Sequence, residues 1–132
     1  MSDKELAEDF WKRAIEALAM AEVGLKVSPD GATNRAYYAA FNAVSALFAL
    51  EGEFYKKHSA LESDVHHKLV KTGKWNPELG EKYKSLHKLR AVGDYGELQH
   101  VSPEEAEKAV ASATEILKAI SASKPDIFLF EK

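Results

Sequence analysis

The chain has 132 residues, of which 45% are hydrophobic and 30% charged, with a formal net charge of -3. That length closes one hydrophobic core and not two, and the acidic balance withholds the global positive field on which nonspecific nucleic-acid binding relies. Because cysteine is absent, disulfides, thiolate metal sites and cysteine nucleophiles are excluded.

The start, "MSDKELAEDFWKR", is charged from its third residue. It has neither the basic lead nor the apolar stretch of a signal peptide, so a cytoplasmic location is expected. A first helix is predicted from about Asp3 to Val27, with Leu6, Phe10, Ala14, Leu18, Ala21 and Leu25 on one face. "SPDG" reads as the turn that ends it, on the strength of Pro29 and Gly31. A second helix is predicted from about Thr33 to Leu50, with Gly52 as its stop. Within it, "AYYAAFNAVSALFAL" (36 to 50) is nearly all apolar. A membrane span wants roughly 20 apolar residues, so this shorter run, bounded by Arg35 and Glu51, reads as the central helix of a bundle.

"EFYKKHS" is polar enough for a loop, and a third helix follows from about Ser59 to Lys71 with Leu61, Val65 and Leu69 inward. Pro77 opens a fourth helix carrying Leu79, Tyr83, Leu86 and Leu89, whose end Gly93 and Gly96 weaken. The last helix has the clearest start: in "SPEE", Ser102 is the N-cap, Pro103 the first helical residue and Glu105 the capping-box partner, and the helix runs to about Ala122. The tail from 124 to 132 contains Ile127, Phe128, Leu129 and Phe130 after a proline, and is expected to pack across the bundle or else onto a second subunit. No stretch alternates with period two. The expected fold is all-α, a mostly antiparallel bundle of about five helices joined by short connections, forming one domain over residues 1–132.

The chemistry on offer is sparse. His66 and His67 are neighbours about 100° apart on a helix, no His-Glu-x-x-His occurs, and neither a metal nor a cofactor is expected. No Gly-x-Gly-x-x-Gly, P-loop or Gly-x-Ser-x-Gly is present. Lysines concentrate in the middle of the chain, where Tyr55 or Trp75 is available to stack on a base, although solvated helix faces explain such a run as well. The most informative stretch is "RAVGDYGELQH", 90 to 100. Asp94 lies one turn after Arg90, which suits an intrahelical ion pair. Arg35 also stands among apolar neighbours. If Arg90 instead holds a phosphate, a proton-moving histidine is needed nearby. His100 would lie about 15 Å away along an unbroken helix, so Arg90 and His100 act together only if the chain folds back after Gly93 or Gly96.

The order of "NRAYYAAFNAVSALFALEG", "KKHSALESDVHHKLVKTGKWNPELGEKYKSLHKLRAVGDYG" and "VSPEEAEKAVASATEILKAI" resembles small single-domain HEPN proteins. The resemblance rests on Arg35 with Tyr37, Tyr38 and Phe41, on His58, on "VKTG" at 70 to 73, and on Arg90-x-x-x-Asp94-Tyr95. It implies a helical bundle with a four-helix core, commonly a homodimer, often encoded beside a minimal nucleotidyltransferase in a toxin-antitoxin pair. Many such relatives are metal-independent endoribonucleases with an arginine followed after four to six residues by histidine. Here Arg90 matches the arginine, but 95, 96 and 97 are Tyr95, Gly96 and Glu97. The resemblance therefore implies a non-catalytic or weakly active member that binds its partner protein, and nucleotide or RNA, through Asp94, Tyr95, Arg35, Tyr38 and His58. The alternatives are a ribonuclease toxin using Arg90 with His100, His58 or Tyr95, and a structural interaction module in which Arg90 and Asp94 are simply paired.

Overall fold

Alanine decides how closely these helices approach. In the computed structural model, which describes residues 1–96 and 99–131, helix α2 (Pro29–Ala49) withdraws Ala32, Ala36, Ala39, Ala40, Ala43, Ala46 and Ala49 entirely from solvent. It packs against α1 (Asp3–Gly24), α4 (Pro77–Tyr95) and α5 (Pro103–Ser123), and so stands at the centre of the bundle. A short helix α3 (His58–Asp64) passes directly into a π-helical turn, Val65–Val70, which lies against α4. Every regular element among the described residues is helical, as the hydrophobic spacing predicts. No helix there is long and apolar enough to cross a membrane.

The helices run mostly antiparallel; α5, antiparallel to α4, lies parallel to α2, with Ala106 beside Ala32 at one end. The α1–α2 connection is short, and Gly52, beyond the end of α2, lies beside Asp3 at the start of α1. Gly52 has φ 76°, a left-handed conformation that glycine adopts without penalty. At the other end of the bundle, Asp94 near the end of α4 meets Asn34 near the start of α2. Lys82 and Glu115 form an ion pair between α4 and α5. The α1 core face consists of Ala7, Trp11, Ala14, Ala17, Leu18 and Ala21. Trp11 and Ala7 take places that the predicted stripe assigned to Phe10 and Leu6, which are only half-buried.

Several predicted boundaries shift. Helix α1 stops at Gly24 rather than Val27, and "SPDG" opens α2. Ser28 is its N-cap, accepting from the Gly31 N–H at 3.0 Å, with Pro29 in the first turn. This is the Ser-Pro entry also seen at Ser102-Pro103, where the Ser102–Glu105 capping box is complete. The third helix starts at His58 instead of Ser59 and widens into the π turn at Val65. Helix α4 continues through Gly93 and is capped at Gly96. A β-carbon at Gly93 would stand 3.2 Å from Asp30 Oδ1, so the missing side chain lets α4 pass the first turn of α2.

The tail turns back after Lys124 and closes the bundle over α1. Phe128 is fully buried, its ring centre 5.0 Å from that of Trp11. Trp11 Nε1 donates to the Leu129 carbonyl at 2.9 Å, and Phe130 meets the same indole edge-on. This is the intramolecular packing expected of the tail. A buried aromatic that fixes a chain end predicts a large loss on truncation: Phe128→Ala should destabilise the protein by about 3–5 kcal/mol. Urea unfolding followed by circular dichroism checks this, and a loss below about 1 kcal/mol would mean that the tail is only laid on the surface.

Candidate functional site

Two stripes at helical spacing face one another across α2 and α4. Helix α2 contributes Asn34, Arg35, Tyr37, Tyr38 and Phe41; α4 contributes Tyr83, His87, Arg90 and Asp94. His58 enters from the start of α3. The 34-37-38-41 and 83-87-90-94 intervals of three and four residues place each set on one helix face.

Arg90 is the centre. Its Cζ lies 5.4 Å from the centre of the Tyr37 ring, 5.3 Å from Tyr38 and 5.8 Å from Tyr95. Aromatic faces attract a guanidinium at such distances, each contact contributing about 0.5–2 kcal/mol depending on desolvation. Arg90 Nε donates to Asp94 Oδ2 at 3.0 Å, the one-turn pairing expected, and Nη2 donates to the Tyr95 hydroxyl at 3.4 Å. Asp94 also accepts from Asn34 Nδ2, at 3.3 and 3.0 Å to its two oxygens. Asn34 Oδ1 in turn accepts from Arg35 Nε at 3.0 Å and Nη2 at 2.7 Å. Arg35 shares the Tyr38 ring, with Cζ 5.2 Å from its centre. The result is a polar bridge from α2 to α4 containing two guanidinium groups and one carboxylate. One positive charge is left over, and the Arg90 side chain retains 15% of its exposure.

Beneath the bridge lies a layer of aromatic rings and imidazoles. Tyr37 is fully buried, and its hydroxyl is hydrogen-bonded to His58 Nδ1 at 2.8 Å. The His58 ring packs 4.3 Å from Phe41 and stacks on Tyr37 at 5.6 Å. On another side Tyr37 stacks with His87 at 5.1 Å, and His87 Nδ1 lies 3.1 Å from Glu62 Oε1. Burial, followed by the nearby positive charge of Arg90 and then His87, lowers the His58 pKa and so favours a neutral ring. Burial pushes the Tyr37 phenol up to about 12. Tyr83, also fully buried, is raised by burial and by the neighbouring Tyr37 phenol; its hydroxyl makes no hydrogen bond of normal geometry.

With Nδ1 engaged by Tyr37, His58 offers Nε2, which has no intramolecular hydrogen bond among the described residues. If Tyr37 donates to Nδ1, Nε2–H is a hydrogen-bond donor; if Nδ1–H donates, Nε2 is an acceptor and a base. The arrangement therefore combines a fixed cation, an imidazole biased toward neutrality and a buried phenol able to select its tautomer.

His100 is placed elsewhere. Its Nδ1 lies 2.8 Å from Asp30 Oδ2, while Asp30 Oδ1 accepts from the Val101 N–H at 2.8 Å. The backbone hydrogen bond from Val101, and then His100, hold the Asp30 carboxyl below its usual range against the opposing effect of desolvation. No hydrogen bond or ring contact joins His100 to Arg90 among the described residues, whereas His58 and Arg90 meet around Tyr37. The "RAVGDYGELQH" stretch thus sends its two ends to different acids. Glu97 and Leu98 lie outside the described residues.

Two aromatics expected to be available for stacking on a base are drawn into the fold, Trp75 wholly and Tyr55 in part, its ring 5.4 Å from that of Phe48. Trp75 is only 5% exposed, and Tyr55 donates to Asp64 at 2.5 Å. Sequence reasoning also passed over His87, Glu62 and Asn34 as site members. The 83-87-90-94 interval is a signal that would have found His87, but nothing local marks Glu62, which reaches His87 from α3, an element held near α4 by the π turn. No group of three or more histidines and carboxylates converges as a metal site among the described residues.

Residues 7–123 match the HEPN domain family. A UPF0332 protein of Thermotoga maritima (strain ATCC 43589 / DSM 3109 / JCM 10099 / NBRC 100826 / MSB8) is 39% identical over 122 residues, spanning 91% of this chain and 92% of that relative. The family match runs from α1 to the end of α5 and so takes in the whole α2–α4 face that carries Arg90. On that match, and with a helical bundle to fit it, the chain belongs to the HEPN domain family.

Proposed function

We propose that this HEPN protein binds a phosphate group of RNA or nucleotide at Arg90 and serves as the non-catalytic or weakly active member of a nucleotidyltransferase-linked toxin-antitoxin module, as a homodimer. The observation that carries the binding reading is the charge of the α2–α4 bridge: Arg35 and Arg90 against Asp94 alone, with the Arg90 head held on tyrosine rings. A guanidinium positioned before the ligand arrives loses little freedom on binding, and its planar fork suits phosphate. Asp94 works against this, because it neutralises Arg90 and repels the incoming anion. Strong phosphate chemistry is therefore disfavoured and modest binding favoured. The partner and the dimer are carried over from the family resemblance; they predict sedimentation at twice the chain mass and copurification of a minimal nucleotidyltransferase encoded alongside, and a monomer that captures no such protein would count against both.

The competition at Asp94 gives a directional test. Fluorescence anisotropy with labelled oligouridylate in EDTA should show binding weakened about tenfold by Arg90→Ala and strengthened by Asp94→Asn, a tenfold change being about 1.4 kcal/mol. If Asp94→Asn weakens binding as much as Arg90→Ala does, the two residues act as a structural pair and not as a phosphate site.

A second reading, RNA cleavage, is favoured by the shared approach of His58 and Arg90 to Tyr37, whose ring centre lies 5.6 Å from the His58 ring and 5.4 Å from Arg90 Cζ; the Arg90 charge also helps lower the His58 pKa. In such a reaction a 2′-hydroxyl loses its proton to a base, its oxygen attacks the adjacent phosphorus, and the 5′-oxygen leaves with a proton. Arg90 would stabilise the charge growing on the phosphoryl oxygens, and His58 Nε2 would move a proton. Mixed RNA incubated in EDTA should then be cleaved by the wild type and by His100→Ala but not by His58→Ala or Arg90→Ala. Cleavage lost with His100→Ala and kept with His58→Ala would reverse the assignment.

A further inference from the structure

At the opposite end of α2 from these charges, a cavity of about 470 Å³ opens where the end of α2, the π turn, the start of α4 and the end of α5 meet. None of the residues around Arg90 lines it. Its apolar wall is Leu47, Phe48, Leu69, Trp75 and Leu79, of which Phe48, Leu69 and Trp75 are nearly fully withdrawn from solvent. A cavity of this size with an apolar wall and a few charges at its edge has the make-up of a small-molecule site.

The charges at the edge select the ligand. Lys68 is occupied, bridging Glu53 and Asp64. Lys74 and Lys124 also line the cavity and form no ion pair among the described residues. Against them stands a single lining carboxylate, Glu51. The uncharged polar side chains are committed internally: Asn76 Oδ1 accepts from the Leu79 N–H at 2.8 Å, capping α4, and the Ser123 hydroxyl donates to the Ile120 carbonyl at 2.7 Å. The wall therefore has little with which to read the hydrogen-bonding edge of a nucleobase. An apolar body, however, would meet side chains on most sides, and an anionic head at the mouth would meet two uncommitted ammonium groups.

We propose that this cavity binds an amphipathic carboxylate, with its hydrocarbon body against Phe48, Leu69 and Trp75 and its head between Lys74 and Lys124. Removing that body from water supplies most of the affinity, and the lysines supply the preference for an anion over a neutral molecule. Because the ligand touches the π turn and α5 together, occupancy also fastens two elements that otherwise have few contacts with each other.

The test uses the full chain with decanoate and decanol as probes, kept below aggregating concentrations and followed by the indole N–H resonance of Trp75 and by melting temperature. Decanoate should shift the Trp75 resonance saturably and raise the melting temperature, with decanol binding at least tenfold more weakly. The double variant Lys74→Met, Lys124→Met keeps both stems but removes the charges, and should bring decanoate down to the affinity of decanol. Ala119→Leu, which projects a larger side chain into the cavity from α5, should abolish the binding of both while circular dichroism confirms the fold. No saturable shift with decanoate would overturn the proposal. So would equal binding of the two probes to the wild type, or binding indifferent to Ala119→Leu, either of which marks unspecific adsorption.

Discussion

A guanidinium drawn out of water on one side must be given hydrogen-bond acceptors and polarisable surface in return, and that requirement at Arg90 organises this end of the bundle. Tyr37, Tyr38 and Tyr95 supply the aromatic surface and Asp94 the acceptor. Asp94 is held in turn by Asn34, and Asn34 by Arg35. Removing one member leaves the others partly desolvated without partners, which costs more than the pair contributes on its own. The bridge can span α2 and α4 only because the helices lie close together there. The alanines of α2 and the bare backbone of Gly93 beside Asp30 permit that approach.

The same charge reaches into the aromatic layer below. Burial alone would bias His58 toward its neutral form, and the positive charge of Arg90 adds to this. Since the folded protein resists protonating His58, the stability associated with the neutral ring is present above the ordinary histidine pKa of about 6.5 and is lost as pH falls through the lower folded value. Tyr37 joins the two levels: its ring faces Arg90 and its hydroxyl meets His58. A ligand that draws Arg90 away from the tyrosines would therefore also alter the protonation of His58. The exposed edge of the Arg90 charge and the neutral bias of His58 are two consequences of one electrostatic arrangement, and the carboxylate of Asp94 offsets part of that charge.

Much of this is legible in local sequence. Five helical segments, the Ser102–Pro103 entry and the one-turn spacing of Arg90 and Asp94 all follow from periodicity and capping. What escapes local reading has a common cause. Ser28-Pro29-Asp30-Gly31 satisfies the rules for a turn and for a helix start equally, and only the Ser28 cap and the anchoring of Asp30 to Val101 settle it as the entry of α2. The π turn at Val65–Val70 adds a residue to the helical repeat without changing the apolar pattern. His58 stands 32 residues before Arg90 in the sequence, so its place beside Tyr37 is a product of how α3 docks, as is the position of Glu62 beside His87. The histidine that shares Tyr37 with Arg90 comes from another element, and no motif spacing encodes that.

The coupling of Arg90 to His58 is measured most directly by following the His58 ring resonances through a pH titration, in the wild type and in Arg90→Gln, with the fold of each confirmed by circular dichroism. The arrangement predicts that His58 titrates below its ordinary pKa in the wild type and moves upward when the Arg90 charge is removed. An ordinary titration in the wild type, unchanged by Arg90→Gln, would contradict it and leave Arg90 as no more than a brace between α2 and α4.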